Sequence, residues 1–398
     1  MERVEQNIWD NYRAVYVHIP FCKQKCLYCD FASYACFGEQ EMHSYTQALC
    51  HEIEVRAEEA AKVASAATVY FGGGTPSVLP SDCLERIVAT LKACGFWREP
   101  AEATIEVNPG TADLAKLKRL RAAGFDRISF GVQSLQDAEL RAIGRIHSAS
   151  EALQAIELAK LAGFKRISCD LIYGLPGQTL ASLEDTLQRL LATGIEHLSV
   201  YGLILEEGTP LEHLVSSGQI SLPDEDTAAD MYELVQELLA KAGFERYEIS
   251  NYAKNGQYSS HNTVYWQYHP YIAFGAAACG FERSLRRTAI ATIPEYIVAA
   301  RALTPKNWRT SELYGIEGLT SSQQLEEFMF MGLRRAAGAD LAEARARFGI
   351  DVWQHYQKEL AQYIAQGLVR YDAQEQRLCL TEKGMELGNQ IFTIFIDA

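Results

Sequence analysis

The sequence predicts an α/β protein whose first half forms an open, partial (β/α)6 barrel. Six β-rich runs alternate with segments whose apolar residues recur at helical spacing. Several helical segments end at a Gly that a new strand follows, as at Gly124, Gly163 and Gly194. Such alternation implies parallel strands joined by crossover helices. A closed barrel of eight units needs about 250 residues, so six units favour a partial barrel. A doubly wound sheet stays open on this pattern alone.

The remaining chain predicts further units after the barrel. Residues 246–293 are rich in Tyr, Asn, Gly and His and read as an irregular linking region, and helical patterns return from 294. Two short strands near the C-terminus then favour a mostly helical, winged-helix-like module. We therefore expect a short N-terminal segment 1–13, the partial barrel 14–245, the linking region 246–293 and the C-terminal module 294–398. The six predicted barrel strands are Ala14–Ile19, Thr68–Gly72, Ala103–Asn108, Arg127–Gly131, Arg166–Ile172 and His197–Leu203.

Composition and charge narrow the class of protein. The 398 residues carry 37 Lys+Arg and 51 Asp+Glu, a net charge of −14, without a basic block. Nucleic acid is therefore not expected as a partner, since phosphate binding needs clustered cations. The first residues show no signal peptide, and no apolar run is long enough for a transmembrane segment. We expect a cytoplasmic protein with reduced thiols, for which peripheral membrane contact stays open.

Three of the ten cysteines stand together directly after the first predicted strand. Cys22, Cys26 and Cys29 are separated by three and two residues. In a reducing compartment, clustered cysteines indicate metal or redox chemistry. Four thiolates saturate a 4Fe–4S cluster, whereas three leave one iron open, as catalytic metal sites do. A zinc site with Cys36 or His43 as a fourth ligand is the alternative.

Polar or glycine-rich groups follow the other predicted strands. The second strand ends in Gly72–Pro76, whose glycines allow a close approach of backbone to a ligand. Reacting and binding groups of parallel α/β folds collect at the carboxyl ends of strands. We therefore expect one ligand site there. Its candidates include Glu106, Gln133 and Asp170.

The pattern Cys22-x3-Cys26-x2-Cys29 resembles the signature of the radical S-adenosylmethionine (SAM) superfamily. The resemblance implies that the three cysteines hold a 4Fe–4S cluster whose open iron binds SAM, and that an electron from an unidentified donor cleaves it. It also implies nine SAM-binding positions, which are Tyr16, Tyr28, Gly73, Gly74, Thr75, Glu106, Gln133, Arg145 and Asp170.

Longer runs resemble one subgroup, the oxygen-independent coproporphyrinogen III oxidases and the related haem chaperones. These runs are 16–22, 72–76, 131–134, 144–147, 170–179 and 247–253. Two features favour the chaperone branch. Phe31 stands where the oxidases carry a fourth cysteine, and the segment before the first strand is short.

The run His261–Trp266 resembles a motif of the haem chaperone branch. Imidazole can ligate haem iron, and Tyr265 and Trp266 could cover the macrocycle. A buried His261 satisfied by hydrogen bonds is the alternative. Cys279 stands where many relatives have His, and core packing is its favoured role.

We therefore expect a chaperone that binds a 4Fe–4S cluster, SAM and haem and transfers haem to an unknown acceptor protein. Whether it is also an enzyme stays open on the sequence alone. Oxidative decarboxylation of coproporphyrinogen III is the alternative function, and radical chemistry on another tetrapyrrole is a third.

Overall fold

The computed structural model describes residues 11–396. The first ten residues of the expected N-terminal segment 1–13 lie outside this range. Within it, one large sheet has the order β12-β11-β10-β9-β1-β2-β3-β4-β5-β6-β8-β7. Its strands are β1 Tyr12–Ile19, β2 Val63–Gly73, β3 Ala103–Val107, β4 Arg127–Gln133, β5 Arg166–Tyr173, β6 His197–Gly202, β7 Glu245–Arg246, β8 Asn251–Ala253, β9 Tyr271–Phe274, β10 Cys279–Glu282, β11 Leu285–Ala289 and β12 Tyr314–Gly318.

Fifteen α-helices accompany these strands within the described range. They are α1 Glu39–Val55, α2 Ser81–Cys94, α3 Leu114–Ala123, α4 Asp137–Ala142, α5 Ala149–Leu161, α6 Leu180–Ala192, α7 Pro210–Ser216, α8 Glu225–Lys241, α9 Ser260–Trp266, α10 Ile293–Arg301, α11 Ser321–Leu333, α12 Leu341–Phe348, α13 Val352–Ala365, α14 Glu382–Glu386 and α15 Gly388–Phe392. Three further strands are β13 Ala339–Asp340, β14 Val369–Asp372 and β15 Arg377–Leu380.

The six strands β1 to β6 run parallel and neighbour one another in chain order. All six predicted barrel strands are therefore present, with ends shifted by a few residues at most positions. Helices begin where polar caps satisfy free backbone N–H groups, as Ser148 does for α5 and Thr179 for α6. The expected partial (β/α)6 barrel is confirmed.

Strands outside the six-strand core extend the sheet at both edges. On one side β9 pairs in parallel with β1, and β10 to β12 continue as an antiparallel meander. On the other side β8 pairs antiparallel with β6. The region expected to be irregular thus contains strands, because its short apolar runs find backbone partners on the barrel edges. The sheet continues to Gly318, past the proposed boundary at 294, and that boundary stays a prediction.

The C-terminal module has its own core and its own sheet. Strands β13, β15 and β14 form a three-stranded antiparallel sheet against α11, α12 and α13. Met329, Leu360, Leu378 and Phe395 are fully buried in it. Helices followed by a short hairpin agree with the expected mostly helical, winged-helix-like module. No helix among residues 11–396 is both long and apolar enough to cross a membrane.

Candidate functional site

The cysteine loop leaves the carboxyl end of β1 and is tied at several points. The N–H of Cys22 donates to the carbonyl of Tyr34, and the N–H of Tyr34 donates to the carbonyl of Pro20. Further along, the N–H of Leu27 donates to the carbonyl of Ile143 at 3.0 Å. These bonds hold the loop against the barrel rim on both sides of its cysteines.

The three cysteines line one cavity of about 140 Å³ at the carboxyl ends of the barrel strands. Within the described residues, their sulfur atoms do not form a group that lies within 4.8 Å of one another. A single tetrahedral zinc ion would hold its thiolates about 3.8 Å apart, given a Zn–S distance of about 2.3 Å. The wider spacing and the all-thiolate donor set fit an iron–sulfur cluster better than one zinc ion.

The neighbours of the sulfur atoms are polar. Arg145 Nη1 donates to Cys26 Sγ at 3.3 Å, and Cys22 Sγ lies 3.6 Å from Thr75 Oγ1. Cys29 Sγ lies 3.9 Å from Ser33 Oγ. Burial raises the pKa of the Cys22 thiol, and the Thr75 hydroxyl acts in the opposite direction. Hydrogen-bond donors therefore surround the position where thiolate charge would reside.

The glycine run after β2 passes close to this loop and leaves no room for side chains. A Cβ at Gly74 would lie 2.7 Å from the carbonyl oxygen of Phe21 and 3.1 Å from Cys22 Sγ. At Gly73, φ is +113° and a Cβ would lie 2.5 Å from the ring of His18. Gly73, Gly74 and Thr75 line the cavity. The backbone of this run therefore lies beside the cavity, with the N–H groups of Gly74 and Thr75 donating to the carbonyls of Ile19 and Phe21.

Two carboxylates face the cavity from β3 and β5, the strands on either side of β4. Glu106 accepts from Tyr70 Oη at 2.7 Å and from the N–H of Gly73 at 3.2 Å. Burial raises the pKa of Glu106 to about 7, with a smaller contribution from the charge of Asp170. Asp170 accepts from Ser129 Oγ at 3.2 Å, and burial raises its pKa also. Both carboxyl groups can accept hydrogen bonds from a ligand.

Arg145 crosses the cavity floor between the cysteine loop and the strand ends. Its Nη2 donates to Asn108 Oδ1 at 2.8 Å and to the carbonyl of Gly131. Its Nε is buried and has no hydrogen-bond partner among residues 11–396. A buried orphan donor calls for a partner, and an anionic ligand group in the cavity would supply it.

Gln133 also lines the cavity and has φ +66°, a left-handed conformation that is uncommon for residues other than glycine. The β4–β5 register shifts between Gly131 and Gln133. This bulge re-aims the end of β4 towards the cavity.

The remaining predicted SAM positions divide into two groups. Tyr28 lines the cavity, and Phe31, a residue of the same loop, lines it with 72% of its surface exposed. Tyr16 lies outside the cavity lining. Its hydroxyl pairs with His18 Nδ1 at 3.1 Å, and its ring stacks on Tyr70 with centroids 6.2 Å apart. The structure therefore brings eight of the nine positions together, and Tyr16 lies beneath them inside the barrel.

The motif His261–Trp266 is at the opposite end of the barrel. It forms most of α9, and the N–H groups of Ser260 and His261 donate to Glu102, the residue that precedes β3. Arg166, the first residue of β5, pairs with the same carboxylate. The helix thus closes the amino ends of the strands, while the cysteine loop occupies their carboxyl ends.

Both ring nitrogens of His261 are engaged in this position. Nδ1 lies 2.7 Å from Thr68 Oγ1, and Nε2 lies 2.7 Å from Tyr265 Oη. Burial lowers the pKa of His261 to about 3. The structure therefore shows the alternative that the sequence left open, a buried and satisfied imidazole. Ligation of haem iron by His261 would require one of these partners to move away.

The other two tentative haem residues are placed differently. Tyr265 packs edge-on against Tyr271 with centroids 4.6 Å apart. Trp266 lies under the guanidinium of Arg334, which is 4.6 Å from the ring centroid. Cys279 is half-buried in β10, and its thiol contacts only the carbonyl of Gly280 at 3.9 Å among the hydrogen bonds of the described residues.

Two structural residues were not singled out by the sequence. Asn108 donates to Thr75 Oγ1 at 2.8 Å while accepting from Arg145, so it orients two cavity residues. His18 fills the space that the absent Cβ of Gly73 leaves. Asn108 directly follows β3, so the strand-end rule could have identified it. Nothing in the local sequence around His18 indicates its contact with Gly73.

Two family models and one solved structure indicate the class of protein to which the chain belongs. The Radical SAM superfamily model matches residues 16–190, and the HemN C-terminal domain model matches residues 319–387. The solved coproporphyrinogen III oxidase HemN of Escherichia coli has a TM-score of 0.83 and 23% identity, and the match covers 99% of this chain and 92% of that chain. That likeness defines the fold alone. The protein is a radical SAM superfamily member with a HemN-type C-terminal domain.

The particular family follows from closer relatives. The heme chaperone HemW of Lactococcus lactis is 36% identical over 383 residues, covering 96% of this chain and 97% of the relative. The heme chaperone HemW of Bacillus subtilis is 34% identical over 385 residues, covering 96% of this chain and 99% of the relative. The chain belongs to the HemW family, and the resemblance to the haem chaperone branch is confirmed.

Proposed function

We propose that this protein is a haem chaperone, which binds haem and transfers it to an acceptor protein. The observation that carries the proposal is the nearly end-to-end match to two proteins named heme chaperone HemW, at 36% and 34% identity. Both structural units of the chain take part in the match, since it covers 96% of the residues in each case.

The cavity supports a 4Fe–4S cluster and SAM as resident cofactors. Cys22, Cys26 and Cys29 would hold the cluster, and the backbone from Gly73 to Thr75 would approach the SAM methionine moiety. Arg145 would pair its carboxylate, and carboxylates such as Asp170 would accept the ribose hydroxyls. When bound, these groups supply redox chemistry that side chains lack.

The chain's own residues then position and shield those cofactors. Arg145 donates to Cys26 Sγ, and its Nε, which has no partner in the described part of the chain, would bind an anionic group. Glu106 accepts hydrogen bonds from Tyr70 and from the N–H of Gly73. Because its pKa is about 7, its carboxyl group can take up or release a proton near neutral pH.

Phe31 supports the chaperone over the oxidase. It stands where the motif of the oxidases has a further cysteine, and it lies at the cavity with 72% of its surface exposed. A phenyl group has no thiol for an additional ligand or a redox step, and its exposed ring adds apolar surface beside the cofactor site.

Haem titration of the reconstituted protein tests this function. The purified chain, loaded anaerobically with iron and sulfide, should bind haemin in a fixed stoichiometry with a saturable Soret difference spectrum. The same preparation, given SAM, a reductant and coproporphyrinogen III, should produce no protoporphyrinogen. Lack of saturable haemin binding would overturn the proposal, and formation of protoporphyrinogen would establish the oxidase.

Substitution of a single cysteine tests the cluster assignment. Cys26→Ala should abolish the visible absorbance of the reconstituted cluster, because only two thiolates of the loop would remain. Cys36→Ala is the matched control, since Cys36 is an exposed thiol just beyond the same loop. A normal spectrum from the Cys26 variant would disprove its role as a ligand.

We further propose a reducing, cytoplasmic setting and at least two partners, an electron donor and a haem acceptor. All ten cysteines are free thiols in the structure, as is usual in reducing compartments.

A further inference from the structure

A second and larger cavity lies beside the barrel, between its last parallel strands and the C-terminal module. It measures about 700 Å³ and shares no lining residue with the cysteine cavity. The ends of β5 and β6 form one wall, α8 forms the second, and α14 and α15 form the third. We call it the lateral groove. Its size is that of cavities that hold drug-sized ligands.

The lateral groove is lined by aromatic and aliphatic side chains. Tyr173, Tyr201 and Tyr232 present rings to it, and Phe392 contributes from α15. Ile204 stands at the groove with 68% of its surface exposed, and Tyr201 with 41%. Large apolar side chains that stay exposed together in a concave site indicate a ligand with flat or apolar surfaces.

One cation lies in the groove without a hydrogen-bonding partner for its inner nitrogen. Arg334, at the end of α11, lines the groove, and its Nε is buried with no partner among the described residues. Buried donors are normally paired, so this atom points to an acceptor on a ligand. The carboxylates of Glu233 and Glu386 also line the groove and are exposed at its rim. Both carboxylates that line the groove are therefore at its rim, while Glu248, a buried carboxylate that interacts with Arg334, is not among the lining residues.

Trp266 packs against the guanidinium of Arg334. The guanidinium carbon of Arg334 lies 4.6 Å from the Trp266 ring centroid, within the range of a cation–π contact. The carbonyl of Arg334 accepts from the N–H of Ile249, a residue that also lines the groove. The last residue of the His261–Trp266 run thus contacts the groove's arginine, although the motif's helix closes the far end of the barrel.

We propose that the lateral groove is the haem-binding site, with the macrocycle against the tyrosine rings and one propionate on Arg334. This inference rests on the proposed chaperone function and names where its ligand binds. Trp266 is then a positioning residue for Arg334, and His261 keeps α9 in place. The macrocycle is planar and apolar, and its carboxylates match the single deep cation.

Haemin titrations of the full-length reconstituted protein test the site with a variant whose larger side chain blocks the groove. Ala229 lines the groove on α8, so Ala229→Trp should weaken haemin binding by about tenfold or more through steric exclusion. Ala240→Trp is the matched control, because Ala240 is exposed on the same helix and lies outside the groove lining. Equal affinities for both variants and the unsubstituted protein would overturn the groove as the site.

A second set of variants tests the contact between Arg334 and a propionate. Arg334→Ala should weaken haemin binding about tenfold, while binding of haemin dimethyl ester, which lacks the carboxylate charges, should be nearly unchanged. Trp266→Leu should mimic the loss, and Trp266→Phe should restore it because an aromatic face returns. An equal loss for haemin and its ester would refute the propionate contact.

The controls separate this inference from the function on which it rests. If the unsubstituted protein binds haemin and the groove variants bind it equally well, the groove is wrong and the chaperone function stands. If the unsubstituted protein itself fails to bind haemin, the proposed function fails.

Discussion

Tyr70 donates a hydrogen bond of 2.7 Å to Glu106, and its ring stacks on the imidazole of His261 with centroids 4.8 Å apart. This one side chain therefore connects the cysteine cavity with the helix that closes the other end of the barrel. The contact runs through the barrel interior, where water is excluded and hydrogen bonds strongly affect the pKa of an acid.

Tyr70→Phe should move the pH dependence of SAM binding. The Tyr70 hydroxyl lowers the pKa of Glu106, which burial otherwise raises, so its removal should raise that pKa above its value of about 7. If the carboxylate form binds SAM, affinity is complete above this pKa and is lost as pH falls through it. We expect the midpoint to rise by about one pH unit. SAM titrations of the reconstituted protein between pH 6 and 9 measure it.

Tyr258→Phe is the control for this substitution, because its hydroxyl bonds to Glu245 far from the cavity. An unchanged midpoint in the Tyr70 variant would show that Glu106 does not control SAM binding.

Arg145→Gln should lower the reduction potential of the cluster. Arg145 Nη1 donates to Cys26 Sγ at 3.3 Å, and donors and positive charge near thiolates favour the reduced, more negative cluster. The substitution removes both. A redox titration followed by electron paramagnetic resonance should show a more negative midpoint, whereas Arg141→Gln, an exposed change on α4, should leave it in place. Equal midpoints would argue against Arg145 as a neighbour of the cluster.

Gly73→Ala should destabilise the protein more than Gly163→Ala. Both glycines have positive φ, +113° and +93°, so both substitutions carry a backbone penalty of about 1–2 kcal/mol. Only at Gly73 would the new Cβ meet a side chain, the His18 ring at 2.5 Å, while nothing lies within 4 Å at Gly163. Overpacking should add about 1–3 kcal/mol at Gly73. Urea unfolding of the two variants gives the comparison, and equal losses would show that the rim accommodates a side chain.

His261→Gln should make the free energy of unfolding depend less steeply on pH in the acidic range. Burial lowers the pKa of His261 to about 3, whereas an unfolded histidine has a pKa of about 6.5. As pH falls below about 6.5, the unfolded state takes up a proton that the folded state refuses, so the free energy of unfolding decreases. The variant has no imidazole to titrate at this position. The slope of its free energy of unfolding against pH should therefore be smaller by up to about 1.4 kcal/mol per pH unit between pH 6 and 4.

Asn262→Gln, the neighbouring change on the same helix, should leave that slope unaltered because amides do not titrate in this range. Denaturant unfolding at pH 4 to 8 checks both variants. A wild-type slope in the His261 variant would mean that the imidazole is not held neutral in the fold.

The cysteine cavity was largely predictable because its residues follow a local rule. Glu106, Gln133 and Asp170 each stand at or near the carboxyl end of a strand, and parallel strands bring those ends to one edge. Tyr16 and Asp170 each lie three residues before the end of their strands, β1 and β5, yet only Asp170 lines the cavity, because the ring of Tyr16 stacks on Tyr70 inside the barrel. Strand position alone therefore does not decide which residues line the cavity, because the packing of each side chain also sets its direction.

The sequence by itself determined the six alternating strands, the position of the cysteine loop and the family, because hydrophobic periodicity, turn glycines and motif spacing are local properties of the chain. Only the tertiary structure placed His261 at the far end of the barrel with both nitrogens engaged, and joined Arg334 to Trp266 at the lateral groove. The contacts of His261 with Thr68 and of Arg334 with Trp266 connect residues separated by tens to hundreds of positions. No local pattern encodes which long-range partner will satisfy a buried polar atom.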